Sequence, residues 1–152
     1  MEIVVIGTEP PCIRCLTTFK RAKEVAQQFP KEIEVRKIAI HTEEAAKYGR
    51  VESGHTLSEV TRIKPDVERL KAISGEINEL SKDEAKNAGS IEARFKELDM
   101  VLQPIKEKSQ EMGYLMTPVL VINGQVKCMD HVPDQEAIRA WVNIEMRNLS
   151  AK

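Results

Sequence analysis

Blocks of apolar and polar positions along the first 40 residues predict a strand, a helix and a second strand. Residues 2–8 form an apolar run that is rich in β-branched side chains and too short for a helix, which is typical of a buried strand. Apolar residues then recur at steps of three and four, which predicts an amphipathic helix near 13–29 that ends before Pro30. Alternating apolar positions predict a second strand over 33–40. The three elements together form a βαβ unit.

The middle of the chain has a different pattern, which predicts a helical insertion near 50–112. This stretch is charged and helix-forming, and two apolar stripes with helical spacing predict an antiparallel helical hairpin. The first stripe is Val67, Leu70, Ile73, Ile77 and Leu80, and the second is Ile91, Phe95, Leu98, Leu102 and Ile105. We expect the connecting turn over 82–90, which holds an Asn-Ala-Gly tripeptide, and a kink at Pro104. A coiled-coil arm joining two copies in a homodimer would use the same stripes, and that alternative stays open.

The end of the chain returns to strands. Two apolar runs over 118–123 and 125–129 flank an Asn-Gly pair, which predicts a β-hairpin. A last amphipathic helix is expected near 135–149. The whole order predicts an α/β fold in one domain over 1–152, with a four-stranded mixed sheet flanked by helices. The helical hairpin is inserted between the second and third strands.

Composition and charge exclude several classes of partner. Lys and Arg number 23 against 24 Asp and Glu, so the chain has no basic surplus for a nucleic-acid backbone, and aromatic residues are only 4%. No apolar run approaches the ~18 residues of a membrane span, and no signal-peptide pattern is found at the start, so we expect a cytoplasmic protein. Its three cysteines do not form a structural disulfide framework. In a reducing compartment such cysteines are catalytic, metal-binding or inert.

The candidate chemistry lies at a CxxC motif, Cys12 and Cys15, at the predicted start of the first helix. Their spacing places both sulfur atoms on one side of the first turn. The helix N-terminus favours an anion, so we expect a lowered pKa at Cys12, which would attack as a thiolate, while the more buried Cys15 would resolve the mixed disulfide. Arg14 adds a cation nearby and Glu9 opposes it. The prolines and Arg14 also predict that this turn is exposed.

Two segments, VVIGTEPPCIRC and MTPVLVINGQVKCMDHVPDQEAI, resemble the small thioredoxin-like redox proteins, a compact branch of the thioredoxin family. The resemblance covers residues 1–49 and 113–149 and not the helical insertion. It implies a thioredoxin-like fold. It also implies that Thr117 and Pro118 match the family's cis-proline pair, which faces the reactive dithiol and orients an extended partner strand beside Cys12.

The chain also departs from the pattern of the family. Ile13 and Arg14 stand between the cysteines in place of Gly-Pro, so the direction of electron flow stays open. Asp130 and His131 stand before the last helix where relatives show Gly-Lys, and the resemblance implies that this stretch borders the groove around Cys12. An acidic residue there is expected to disfavour some partners. Arg14 and His131 are therefore candidate substrate contacts.

Two functional hypotheses follow. The first is a thiol–disulfide oxidoreductase that acts on a protein partner and is served by an unidentified reductant; it needs no cofactor, because the dithiol carries both electrons. The second is a metal- or metalloid-binding or sensing protein that uses Cys12, Cys15, Cys128 and His131 as a soft ligand set. The simpler interpretation makes Cys128 a small buried apolar residue and His131 a solvated loop residue, with no metal bound.

Overall fold

A four-stranded mixed sheet lies at the centre of the fold, in a computed structural model that describes residues 1–151. The strands in chain order are β1 (Glu2–Gly7), β2 (Glu34–Ala39), β3 (Arg50–Glu52), β4 (Tyr114–Met116), β5 (Val119–Ile122) and β6 (Gln125–Met129). The large sheet has the order β2-β1-β5-β6, with β1 parallel to β2 and antiparallel to β5, and with β5 antiparallel to β6. The predicted mixed sheet is thus confirmed, with strand ends within one residue of those expected.

Helices and a small second sheet cover both faces of the large sheet. The helices are α1 (Ile13–Ala26), α2 (Glu43–Ala46), α3 (Gly54–Thr61), α4 (Val67–Leu80), α5 (Glu84–Val101), α6 (Gln103–Glu111) and α7 (Gln135–Ser150). Successive side chains of a strand point to opposite faces, so Ile3 and Val5 pack against α1 and α7. Val4 and Ile6 pack beneath α2 and the β3–β4 pair. Within residues 1–151, no helix combines the length and apolarity needed to cross a bilayer.

The predicted helical hairpin is formed by α4 and α5. The ion pairs Arg69–Glu97 and Arg94–Glu76 join the two helices and show that they are antiparallel. Most residues of the two apolar stripes are buried, many of them between the helices and against Val132 near the end of the sheet, whereas Val67 at the start of α4 is exposed. Most of the surface that a coiled-coil dimer would use is therefore covered within the chain. A homodimer through the insertion stays a prediction.

Two expected boundaries are wrong, for local reasons. The first helix ends at Ala26 and not near residue 29, because the N–H groups of Gln28 and Phe29 donate to carbonyls three positions back, in a tight last turn before Pro30. The hairpin turn is a short 3-10 turn at Ser81–Asp83, whereas Asn87 lies inside α5 and its amide donates to the Leu80 carbonyl at 3.0 Å. The expected kink is a break between α5 and α6, with Pro104 in the first turn of α6.

The insertion is not wholly helical, which corrects the expected helical stretch over 50–112. Strand β3 pairs in parallel with β4 and forms a two-stranded sheet. Each strand has only three residues, which is too short to show an alternating pattern in the sequence. The pair matters for the site because β4 leads directly into Thr117 and Pro118.

Candidate functional site

The two cysteines of the CxxC motif lie at the start of α1. Cys12 is the N-cap residue, with extended backbone, and its side chain is exposed, whereas Cys15 is only 1% exposed. The Cys12 backbone N–H donates to the Thr8 hydroxyl at 3.2 Å, and that hydroxyl donates to the Pro10 carbonyl at 3.0 Å. Thr8 therefore holds the loop before the helix in place. The expected division into an accessible and a buried cysteine is confirmed.

The geometry of the pair favours the thiolate form of Cys12. The two sulfur atoms lie 3.3 Å apart and both cysteines are free thiols. Hydrogen bonding with the Cys15 thiol lowers the pKa of Cys12 to about 5, and the N–H groups of the first helical turn and the charge of Arg14 act in the same direction. The same hydrogen bond, together with burial, raises the pKa of Cys15. At neutral pH the exposed sulfur is thus a thiolate and the buried one keeps its proton.

Gly7 allows the close approach between β1 and the CxxC helix. A Cβ atom built on Gly7 would lie 2.9 Å from the Cys15 Cβ and 3.1 Å from its sulfur. Any larger residue at this position would therefore displace Cys15, and with it the hydrogen bond to Cys12. Gly7 was not identified from the sequence as a site residue, since only the packing of β1 on α1 reveals its role.

Thr117 and Pro118 lie at the same edge of the sheet. Because Ile6 pairs with Val119 in antiparallel register, Pro118 is beside Gly7, and the Thr117–Pro118 peptide bond is cis, as expected. Thr117, however, is only 2% exposed. Its N–H donates to the Glu52 carbonyl at 3.1 Å, and its own carbonyl accepts from Arg14 at 3.1 Å.

These contacts restrict the expected role of Thr117, which stays a prediction. An incoming extended segment needs a free N–H on the receiving strand to form a β-bridge. The Thr117 N–H is already engaged by the residue at the end of β3. Pairing of a partner strand with this backbone would therefore require the β3 contact to break.

Arg14 is also placed differently from the expectation. The sequence predicted an exposed cation, but Arg14 is buried, with 6% of its surface exposed. It still lines the groove at Cys12, so a contact with substrate stays a prediction. Its guanidinium bonds to the Asp99 carboxylate at 3.0 Å, to the Thr117 carbonyl and to the Asp130 carbonyl. Arg14 thus ties the dithiol helix to the cis-proline loop and to α5 of the insertion, and it acts as a positioning residue.

Four charged residues form a buried charge cluster behind the dithiol: Arg14, Asp99, Lys106 and Asp130. Lys106 is 3% exposed, and its Nζ lies 3.7 Å from Asp99 and 3.8 Å from Asp130. Burial lowers the pKa of Lys106. Burial alone would raise the pKa of Asp130, but hydrogen bonds with His131 and Gln110 and the Lys106 charge outweigh it and lower that pKa. Two cations and two carboxylates thus compensate each other in the interior.

The cluster could not be found from the sequence, because Asp99 and Lys106 stand among charged residues typical of solvated helix faces. The sequence held one weak signal: Asp99 directly follows Leu98 and Lys106 directly follows Ile105, and Leu98 and Ile105 belong to the second apolar stripe. Asp99 also accepts the Val132 N–H at 3.2 Å, which fixes the loop before α7. The insertion therefore contributes directly to the framework of the site.

His131 and Cys128 form a second pair, separate from the dithiol. The His131 Nε2 lies 3.4 Å from the Cys128 sulfur and Nδ1 lies 3.5 Å from Asp130. Hydrogen bonding with Asp130 and with Cys128 raises the pKa of His131 to about 10. Cys128 is buried, as the simpler interpretation expected. His131 is half exposed, but its ring nitrogens are engaged, so it is more than a solvated loop residue.

Two expectations about this pair are corrected. His131 does not border the groove that opens at Cys12; it lines a separate surface hollow of about 500 Å³ with Met100 and Trp141. The alternative ligand set of Cys12, Cys15, Cys128 and His131 is not gathered into one place. Among residues 1–151, no group of three or more His, Cys, Asp or Glu side chains is arranged to hold a metal ion.

A groove of about 940 Å³ opens at Cys12 and is walled mainly by the insertion. Its apolar lining consists of Ile13, Val67, Leu70, Leu98 and Leu102. Ionisable side chains at the groove include Arg14, His55, Glu59, Arg62 and Lys64. The helical insertion, which the resemblance does not cover, therefore supplies most of the surface next to the nucleophile.

Comparisons with protein-family models, curated proteins and solved structures find no match to the chain. The chain is thus described as a mixed α/β protein in which a four-stranded sheet is flanked by helices and an exposed cysteine lies beside a buried one.

Proposed function

We propose that the protein is a thiol–disulfide oxidoreductase with a thioredoxin-like fold, acting on a protein disulfide. The observation that carries the proposal is the exposed Cys12 sulfur, 3.3 Å from the buried Cys15 sulfur, at the N-terminus of α1. Disulfide exchange needs a thiolate that a partner can reach and a second thiol that can displace it. The order of the sheet and the cis-proline beside the dithiol support the same proposal.

The reaction follows from the two sulfur environments. The Cys12 thiolate attacks one sulfur of the partner disulfide, a Cys12–partner bond forms, and the other partner sulfur leaves as a thiolate that takes a proton from water. Once Cys12 is in this mixed disulfide, its negative charge and its hydrogen bond no longer raise the pKa of Cys15. Cys15 then loses its proton to solvent and attacks the Cys12 sulfur, which releases the partner as a dithiol.

The electrons balance in this scheme. Two electrons pass to the partner disulfide, and Cys12 and Cys15 become a disulfide. A second dithiol, acting as the reductant, must return two electrons to close the cycle. If that second couple is more oxidising, the same steps run in reverse, so the direction depends on the potential of the pair.

A redox titration followed by alkylation tests the proposal. Equilibration in dithiothreitol buffers and in glutathione buffers, which together cover the potentials of CxxC dithiols, should show one two-electron couple for Cys12 and Cys15, with Cys128 outside it. A dithiol that stays reduced across the whole titration would overturn the proposal.

Trapping tests the roles of the two sulfurs. Cys15→Ser should accumulate a mixed disulfide through Cys12, because the resolving thiol is missing, whereas Cys12→Ser should accumulate none. Cys128→Ser is the matched control and should behave as the wild type. Equal trapping by both single variants would contradict the assignment of roles.

A further inference from the structure

We infer that the groove beside Cys12 selects a partner segment with an apolar side chain and an acidic side chain close to its reactive cysteine. The inference rests on the proposed function and names the class of partner. The juxtaposition that carries it is an apolar lining, two exposed cations and the exposed sulfur on one surface.

The backbone of Thr117 is not free to pair with a partner strand. Thr117 cannot offer its N–H to a partner, because that N–H donates to Glu52, and its carbonyl already accepts from the buried Arg14. A partner segment must therefore be held mainly by its side chains. The surface that meets those side chains is the groove built by α3, α4 and α5.

The apolar part of the groove fits an aliphatic side chain. Val67 is 51% exposed at the start of α4, and it lines the groove together with Leu70 and Ile13, so the three form one apolar surface. A small, strongly hydrophilic disulfide would gain little from these contacts. A peptide segment with a leucine-sized side chain would cover them.

The charge of the groove fits a carboxylate. Arg62 and Lys64 are exposed, and within residues 1–151 neither has a carboxylate within ion-pair distance. Glu59, the acidic residue at the groove, lies 3.4 Å from His55. The Arg14 charge is compensated by Asp99 in the interior. With Glu59 counted against them, Arg62 and Lys64 leave a net positive charge at the groove, which favours an acidic residue of the partner.

Peptide disulfides test the inference with the full chain. We would prepare three cysteine peptides, each joined to the same neutral leaving thiol: one with leucine and aspartate beside the cysteine, one with leucine and lysine, and one with serine and aspartate. The readout is the rate of leaving-thiol release by the reduced protein at low ionic strength. The expected order places the leucine–aspartate peptide first, with a preference over the leucine–lysine peptide of roughly ten-fold that decreases in salt.

Charge-neutral variants show whether these two cations cause the preference. Arg62→Gln with Lys64→Gln should reduce the ratio of the aspartate rate to the lysine rate to about one, and this ratio cancels any change in the intrinsic reactivity of Cys12. The matched control is Lys71→Gln with Lys86→Gln, two exposed lysines of α4 and α5 that do not line the groove. The control should keep the wild-type ratio.

The outcomes separate the inference from the proposed function. Release from all three peptides at equal rates would overturn the inference and leave the oxidoreductase intact. Equal rates for the two aspartate peptides would show that the groove recognises only the negative charge, which a small anionic disulfide also carries. That result would overturn the assignment of a peptide with an apolar side chain. No release from any peptide, or from a small neutral disulfide, would overturn both.

Discussion

Replacing Asp99 by asparagine should strongly destabilise the protein, although the residue lies far from the dithiol in sequence. The Asp99 carboxylate is 3.0 Å from the Arg14 guanidinium and 3.7 Å from the Lys106 Nζ. Asp99→Asn keeps the shape of the side chain and removes its charge. Two buried cations then face Asp130 alone.

The magnitude follows from the burial of the two cations. Removing one partner of a buried ion pair costs about 3–5 kcal/mol of unfolding free energy, because the remaining charge is desolvated without compensation. Burial lowers the pKa of Lys106, so this lysine can release its proton and relieve part of the repulsion. We therefore expect a loss of about 3 kcal/mol, at the lower end of that range.

Urea denaturation followed by circular dichroism measures the change. The matched control is Glu79→Gln, which neutralises an ion pair with Lys82 that is 2.9 Å long but 73% exposed on both sides, and should cost less than about 1 kcal/mol. A double variant, Arg14→Met with Asp99→Leu, should be less destabilised than the sum of its single variants, because no charge is left without its partner. If Asp99→Asn matches Glu79→Gln, or if the double variant is additive, the buried cluster is not a coupled unit.

Two further predictions concern residues around the dithiol. Gly7→Ala should lower the free energy of unfolding by about 1–3 kcal/mol in urea denaturation and raise the pKa of Cys12, because the new Cβ displaces Cys15. The control is Gly75→Ala in α4, where a new Cβ meets nothing within 4 Å. Equal effects of the two substitutions would contradict the packing of Gly7 against Cys15. The raised pKa of His131, about 10 against 6.5, makes its contribution to stability fully present below pH 6.5 and lost as the pH rises through about 10. The stability difference between wild type and His131→Gln should therefore shrink over that window, and a difference independent of pH would show that the imidazolium pairs with neither Asp130 nor Cys128.

The sequence predicts the large sheet well because its strands have strong local signals. The run in β1 is uniformly apolar, since a central strand is buried on both faces, and the Asn-Gly turn marks the β5–β6 hairpin. Cys12 and Cys15 could be assigned different roles because a helix start exposes its first residue and buries the residue one turn later. These features depend on neighbours in the chain.

The features that were missed depend on contacts between distant parts of the chain. Arg14 is flanked by residues that indicate an exposed turn, and it is buried because its partners Asp99, Thr117 and Asp130 lie 85 or more positions later. The hydrogen bond from the Thr117 N–H to Glu52 was missed for the same reason, because Glu52 belongs to a strand of only three residues. No periodic pattern in the sequence reports such partners.

Hydrogen bonding with Cys15 is what keeps Cys12 as a thiolate at neutral pH. The most direct test is the pH dependence of iodoacetamide alkylation at Cys12, followed by mass spectrometry, in the wild type and in Cys15→Ala. We expect a midpoint at about 5 in the wild type and a clearly higher midpoint in the variant. A wild-type midpoint near the ordinary value of 9.0, or an identical midpoint in both proteins, would contradict it.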